Sequence, residues 1–582
     1  MATVYWDRNA TGTGSGGNWS NAKSDPALFN STTFGGSSTA DEHIFANGTP
    51  WPITATKTEP SSANMLTIRG ADNGNGSTEP PWITCFVPAG TVGGWAEIDP
   101  AYAIHPNAGT GATATRVLKP GSKLWHTYNS FNGTFVGSYR NGAGETFWGR
   151  RCRMVADANG ADENAPAQDY AHGVPNFGGQ CVYLTAGNPD TNATLLKRPS
   201  GVSTEPWKFM RPLGGLDVYD MGFKDSDFAL NVENSTAGSL SPNVRIFRNK
   251  FRGCRKGVSL IGTRDVYGRT GAGFVGALIY ANKFLHMGNM AIHCWGSPVM
   301  NASRIWNNIS RYSMEAEGAG TIYMDSSYTT DGSWVLIDHN WLDENEYDGK
   351  YWLDGSALYA EMATEKCDFW ANYITNAEVA AHLNIGAGSH RLRNNVALAG
   401  TQGRKNATFV RMVNARAGIL TVPLTAGVAE VHGNIADRFS LFAGAVAFDY
   451  TGTGNGRFLV HHNIARGRKS LDANDFTYPI QGNGGTLATG TSRMVLDRNN
   501  FTDFNGTTIT AREYDGSLTT WTDVPSGSSP VVNTSRASNA SIISSLPAAD
   551  NTREDINYAL MIPQGITTGV VAAPKPALVA PA

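Results

Sequence analysis

Three short segments in the middle of the chain concentrate groups able to hold sugars and move protons: Ile292-His-Cys-Trp-Gly296, Ile322-Tyr-Met-Asp-Ser326 and Tyr351-Trp-Leu-Asp-Gly355. Two more, Val258-Ser-Leu-Ile-Gly262 and His382-Leu-Asn-Ile-Gly386, align with them. Side chains alternate along a strand, so first and third positions share one face and second and fourth the other. That places Val258, Leu260, Ile292, Cys294, Ile322, Met324 and Leu353 inside. Outside go Ser259 and Ile261, His293 and Trp295, Tyr323 and Asp325, Trp352 and Asp354, and Leu383 and Ile385. If the segments stack as neighbouring rungs, Asp325 and Asp354 share a column and their carboxyls come within about 5 Å, the separation of retaining glycosidases. Two like charges that close push one pKa up, which leaves one acid and one base. His293, Trp295, Tyr323 and Trp352 would flank them as sugar-holding groups. Asp-Ser and Asp-Gly also suit turns, but Ile261, Trp295 and Ile385 fill the same column, so the turn does not demand Asp.

Further acids lie in the connecting segments beside this face: Glu315, Glu317, Asp343, Glu344, Glu346 and Asp348. They are expected to be solvated loop residues, with Glu317 and Asp348 the best placed to reach a bound sugar.

The elements that must position these groups are legible in a repeated phrase of alternating apolar residues ending in Asn. It closes at Asn249, Asn282, Asn308, Asn340, Asn372, Asn395, Asn434, Asn463 and Asn499, with separations of 33, 26, 32, 32, 23, 39, 29 and 36 residues. Three residues before each Asn stand Ile246, Ile279, Ile305, Ile337, Phe369, Leu392, Val431, Val460 and Leu496. An imperfect period of this size, with strand alternation and no helical periodicity, marks a solenoid of β-coils with inserted loops. The apolar column is expected inside. The Asn column is expected at a tight turn, in the left-handed conformation, each amide bonding the next rung's Asn. Two residues before each Asn lies an outward column, Phe247, Tyr280, Trp306, Asp338, Trp370, Arg393, His432, His461 and Asp497. Its aromatic half could be a second sugar track, and is better suited to a subunit interface.

Composition agrees with many strands and turns: Gly is 66 of 582 residues, aromatics are 10% and charged residues 16%. A net charge of −3 without a basic run argues against a nucleic-acid or anionic-membrane binder. No stretch is long and apolar enough for a membrane-spanning helix, and the N-terminal MATVYWDR does not read as a secretory leader. Six scattered cysteines without a CxxC pair read as buried thiols. No metal or cofactor is expected. The organisation expected is residues 1–200 as an N-terminal cap with irregular first coils, 201–505 as the solenoid, and 506–582 as a C-terminal region ending in a Pro-rich extended tail.

On the Asn phrases and the apolar column, from about Leu216 to Phe504, the sequence resembles the right-handed parallel β-helix proteins of the pectate-lyase-like superfamily, and among them bacteriophage tailspikes. The resemblance implies an all-β solenoid that binds and depolymerises bacterial surface polysaccharide, O-antigen or capsule, as a homotrimer on the virion tail. It implies an endo-glycosidase first, with a polysaccharide lyase or a non-catalytic glycan-binding adhesin on the same scaffold as alternatives. The string IDHNWLDENEYDGKYWLDGS also resembles a calcium-binding stretch of pectate lyases, which would make Asp338, Asp348 and Asp354 ligands. The arginine motif that acts as base in those lyases has no counterpart downstream. For a lyase, the base candidates on the outward face are His293 and Tyr323.

Overall fold

The computed structural model describes residues 2–36, 41–84 and, with gaps of which the largest are 264–270, 314–319, 346–355, 400–407, 414–426, 447–456, 468–477 and 484–493, residues 206–502; short strands are also placed within 123–148 and 512–523. Three long sheets of thirteen, thirteen and twelve strands run through the described residues. Each strand pairs with the strand one coil away, in parallel, until the antiparallel pair Arg512–Tyr514 and Trp521–Asp523 ends one sheet. One coil illustrates the path: Arg304–Trp306 in sheet A, Ile309–Ser313 in sheet B, Gly320–Asp325 in sheet C, then Val335–Asp338 back in sheet A. The fold is a right-handed parallel β-helix, the hand that parallel crossovers take. Strands between Ala2 and Thr84 belong to the same three sheets, so coiling starts well before the repeated phrase does.

The apolar column is inside, as expected. Ile305 pairs with Ile337 in register, and Ile246, Ile279, Phe369, Leu392, Val431 and Val460 are fully buried. The side chain of Leu496 lies outside the described residues. A second inward stack, Phe223, Phe251 and Phe284, runs under sheet B with centroids 5.0 and 4.7 Å apart. At the N-terminal end Phe29, on the short helix Pro26–Ser31, packs among Trp6, Phe45, Trp51 and Trp207 and fills the first coils with rings.

The Asn column is a continuous buried ladder. From Asn249 to Asn463 every Nδ2 donates to the Oδ1 of the next Asn at 2.9–3.1 Å, and each Oδ1 also receives the backbone N–H of the Asn before it. This satisfies amides that burial would otherwise penalise. The expected left-handed Asn is corrected by one residue. The positive φ belongs to the residue before it, among them Arg248, Ala281, Asn307, His339, Ala371, Asn394 and His462, at 51–56°. That residue makes the corner and so turns the following Asn inward, where its amide can reach the ladder.

Of the six cysteines, Cys254, Cys294 and Cys367 are described, and all three are buried free thiols. Among the described residues no helix is long and apolar enough to cross a membrane.

Candidate active site

The site lies on the outward side of sheet C, where each strand presents two outward positions. Register pairs Ser259 with His293, His293 with Tyr323, Tyr323 with Tyr359 and Tyr359 with His382 in the first column. The second column holds Ile261 and Trp295, then Asp325 paired with Glu361. His293, Trp295, Tyr323 and Asp325 are therefore brought together as expected from alternation, with Val258, Leu260, Ile292, Cys294, Ile322 and Met324 buried beneath them.

The next rung differs from the expectation. The strand that pairs with Gly320–Asp325 is Ser356–Glu361, so the partners of Tyr323 and Asp325 are Tyr359 and Glu361. Trp352 and Asp354 precede that strand and lie outside the described residues, as do Glu315, Glu317, Glu346 and Asp348. The segment Tyr351–Gly355 matched by apolar alternation alone. Ile322-Tyr-Met-Asp325 and Leu358-Tyr-Ala-Glu361 share the fuller pattern of aliphatic, Tyr, any residue and acid, which was the readable signal.

The following rung is shifted by one as well. His382 takes the outward position and stacks on Tyr359 at 4.2 Å, both rings buried, whereas Leu383 and Ile385 point into the core. Asp343 also departs from the expected solvated loop. It sits buried on the Trp341–Asn345 strand of sheet B, held by Arg311 at 3.1 Å, Thr375 Oγ1 at 2.5 Å and Asn376 Nδ2 at 2.8 Å. Asp338, the one described member of the calcium set, is buried in sheet A. Its two oxygens accept from Arg304, and one also meets His339 Nδ1 at 2.6 Å. Burial works against its charge, but these donors hold its carboxyl below the usual range. They also occupy the oxygens a metal would need.

The electrostatics separate the two carboxylates of the second column. Burial alone pushes Glu361 up to about 7. Burial also raises Asp325, but the Ser326 hydroxyl at 3.1 Å and the positive charge of Lys256 pull it back toward the ionised form. Neighbouring parallel strands lie about 4.8 Å apart, so the two residues occupy adjacent positions of one column. At neutral pH Glu361 keeps its proton in part of the molecules and can give it.

Rings line both sides. Trp295 is 43% exposed, the only large aromatic exposed to that degree among the described residues, and stands in the carboxylate column one rung before Asp325. In the first column His293 stacks on Tyr323 at 5.1 Å, and Tyr323 meets Tyr359 at 5.0 Å. Lys256, missed by the sequence reading because it opens its strand outside the aligned five residues, reaches His293 Nδ1 at 3.3 Å. With the ammonium donating, His293 carries its proton on Nε2, and its ring has no bare nitrogen to act as a base.

The outward aromatic column of sheet A is built differently. Tyr219, Phe247, Tyr280 and Trp306 stack face to face at 4.6, 4.9 and 4.2 Å with interplanar angles of 3–13°. Their faces are spent on one another, leaving edges outward. A sugar needs a free ring face, so this column does not make the second sugar track considered from the sequence.

No family model and no curated protein matches the chain. Among solved structures, similarity is found to a XylC complex with xylose, at 10% identity and a TM-score of 0.36, covering 88% of this chain and 86% of that one. It is also found to the tailspike gp61 of Pseudomonas phage phi297, at 11% identity and a TM-score of 0.32, covering 79% and 71%. At these scores neither similarity bears on the chemistry of the site.

Proposed function

We propose that this protein is an endo-acting depolymerase of bacterial surface polysaccharide, O-antigen or capsule, and that it hydrolyses the glycosidic bond at the Asp325–Glu361 pair. The observation that carries the reading is the pairing of two partly buried carboxylates on adjacent rungs, with Glu361 pushed up to about 7 by burial. Glu361 protonates the leaving oxygen. Asp325 acts from the other side of the scissile bond, as nucleophile or as base toward water. Trp295 holds the face of a neighbouring sugar ring, and the polysaccharide runs along the solenoid axis, crossing about 4.8 Å of protein per rung. Glu317, Asp348, Trp352 and Asp354, outside the described residues, remain candidates for further sugar contacts.

Of the two base candidates for β-elimination, His293 is buried and receives a donor at Nδ1, which leaves Tyr323 as the base a lyase would use. A place on a phage tail, and assembly as a homotrimer through the edge-presenting aromatic column of sheet A, belong to the same proposal. Incubation with a panel of purified capsular and O-antigen polysaccharides tests it. Falling product size with new reducing ends and no unsaturated-uronate absorbance supports hydrolysis. Unsaturated products would assign a lyase, and binding without any size change an adhesin.

A further inference from the structure

We infer that Ser326 is a positioning residue of the carboxylate pair: its hydroxyl, presented by a left-handed corner, fixes one oxygen of Asp325 and leaves the other to face the sugar. The inference rests on the hydrolytic reading of the site. Ser326 follows the strand Gly320–Asp325, and its Oγ donates to Asp325 Oδ1 at 3.1 Å. Among the described residues no other hydrogen bond reaches this carboxylate. The Ser326 side chain is buried, so water competes little for its hydroxyl. A donor anchored one residue away restrains rotation of the carboxylate, and Oδ2 is then the oxygen held toward the groove.

The corner itself does not need serine. Ser326 has φ of 55°, in the left-handed region that strains an L-residue and costs glycine nothing. Register pairs Cys294 with Met324, which puts Gly296, with φ of 75°, at the same position one rung earlier. A glycine there makes the turn without strain. What the strained residue adds is its hydroxyl, and strain held beside a reacting group is a mark of positioning. Closeness in sequence does not make the contact either, because the hydroxyl of Ser327 is buried without a hydrogen-bond partner.

Two variants of the full-length protein separate the hydroxyl from the corner. Ser326→Ala deletes the donor and keeps the strain, whereas Ser326→Gly deletes the donor and relieves it. The first readout needs no substrate. A hydroxyl bonds an ionised carboxylate more strongly than a protonated one, so removing it raises the Asp325 pKa further above its unfolded value, and the variants lose stability relative to wild type as pH rises. Thermal melts should show Ser326→Ala falling behind wild type by about 1–2 °C more at pH 8 than at pH 4. Ser326→Gly should show the same pH-dependent loss on top of a constant gain, and the difference between Ser327→Ala and wild type should not change with pH. The second readout is kcat and KM on whichever polysaccharide of the panel wild type cleaves. Both Ser326 variants should lose about 10-fold in kcat with KM nearly unchanged, although Ser326→Gly has the relaxed corner. Melting differences that are equal at the two pH values, or wild-type kcat in both variants, would overturn the assignment. The pH-dependent loss in a protein that cuts no polysaccharide would leave the positioning of Asp325 standing and remove the proposed function instead.

Discussion

Asn282 and its neighbour Ala281 offer a paired perturbation of the ladder that holds the coils in register. Asn282 donates from Nδ2 to Ile246 O at 2.9 Å and to Asn308 Oδ1 at 3.0 Å, and its Oδ1 accepts the Asn249 backbone N–H at 3.0 Å and Nδ2 at 3.1 Å. Asn282→Ala deletes all four. The Asn249 amide keeps its bond to Val218 O, but the buried Asn249 N–H loses its ladder acceptor. One orphaned buried N–H costs about 1–3 kcal/mol and each of three further lost bonds about 0.5–1.5, so the variant should lose about 2.5–7.5 kcal/mol. Ala281 has φ of 55°, a conformation that favours Gly, and Ala281→Gly should be neutral or stabilising by up to about 1 kcal/mol. A solenoid need not unfold in one step, so urea midpoints should be joined by hydrogen exchange of the coils between Val244 and Trp306. Near-equal midpoints for the two variants, or a loss below about 1 kcal/mol for Asn282→Ala, would refute the ladder as a stabilising device.

Three further outcomes follow from the same structure. His390 is buried in the core, accepting the Cys367 N–H at Nδ1 and donating from Nε2 to Asn384 O, and burial lowers it to about 4. Its folded pKa is below the unfolded value near 6.5, so its contribution is complete above about pH 6.5 and is lost as pH falls toward 4, by about 3 kcal/mol. His390→Gln should flatten that part of the acid-unfolding curve, and an unchanged curve would count against it. Glu361 behaves in the opposite sense, because its folded pKa of about 7 exceeds the unfolded value of 4.5 and stability declines between those pH values. Glu361→Gln should therefore stabilise by up to about 3 kcal/mol at pH 8 and by nothing at pH 4, measured by thermal melts; equal shifts at both pH values would contradict the burial argument. In the assembly proposal, Trp306→Ala should loosen a trimer seen by sedimentation, and a wild-type protein monomeric at micromolar concentration would end that proposal.

What the sequence carried legibly was whatever repeats in register. Asn and the apolar residue three before it recur because corner geometry and core packing demand the same side chain on every coil, so the columns could be read from spacing alone. The outward face of sheet C obeys no such repetition. Asp325 was found by alternation, but its partner on the next rung was assigned to Asp354 because Tyr351–Gly355 alternates as well as Ala357–Glu361 does. Only strand pairing separates the two segments, and pairing depends on how long the connecting chain is. Lys256 was missed for a related reason. It lies outside the aligned five residues, and its contacts with Phe228, His293 and Trp295 come from two other strands. The left-handed corner was displaced by one residue because Asn tolerates that conformation itself, whereas the ladder needs its side chain directed inward.

The most direct test of the account is depolymerisation by Asp325→Asn and Glu361→Gln, alongside Asp354→Asn, on a polysaccharide that wild type cleaves. Removing a general acid or nucleophile typically costs about 100-fold or more in rate. Both Asp325→Asn and Glu361→Gln should fall at least that far while still binding the polysaccharide and keeping the wild-type circular dichroism. Near wild-type cutting by Glu361→Gln, with activity lost in Asp354→Asn, would contradict the account and move the acid to the segment before the Ser356–Glu361 strand.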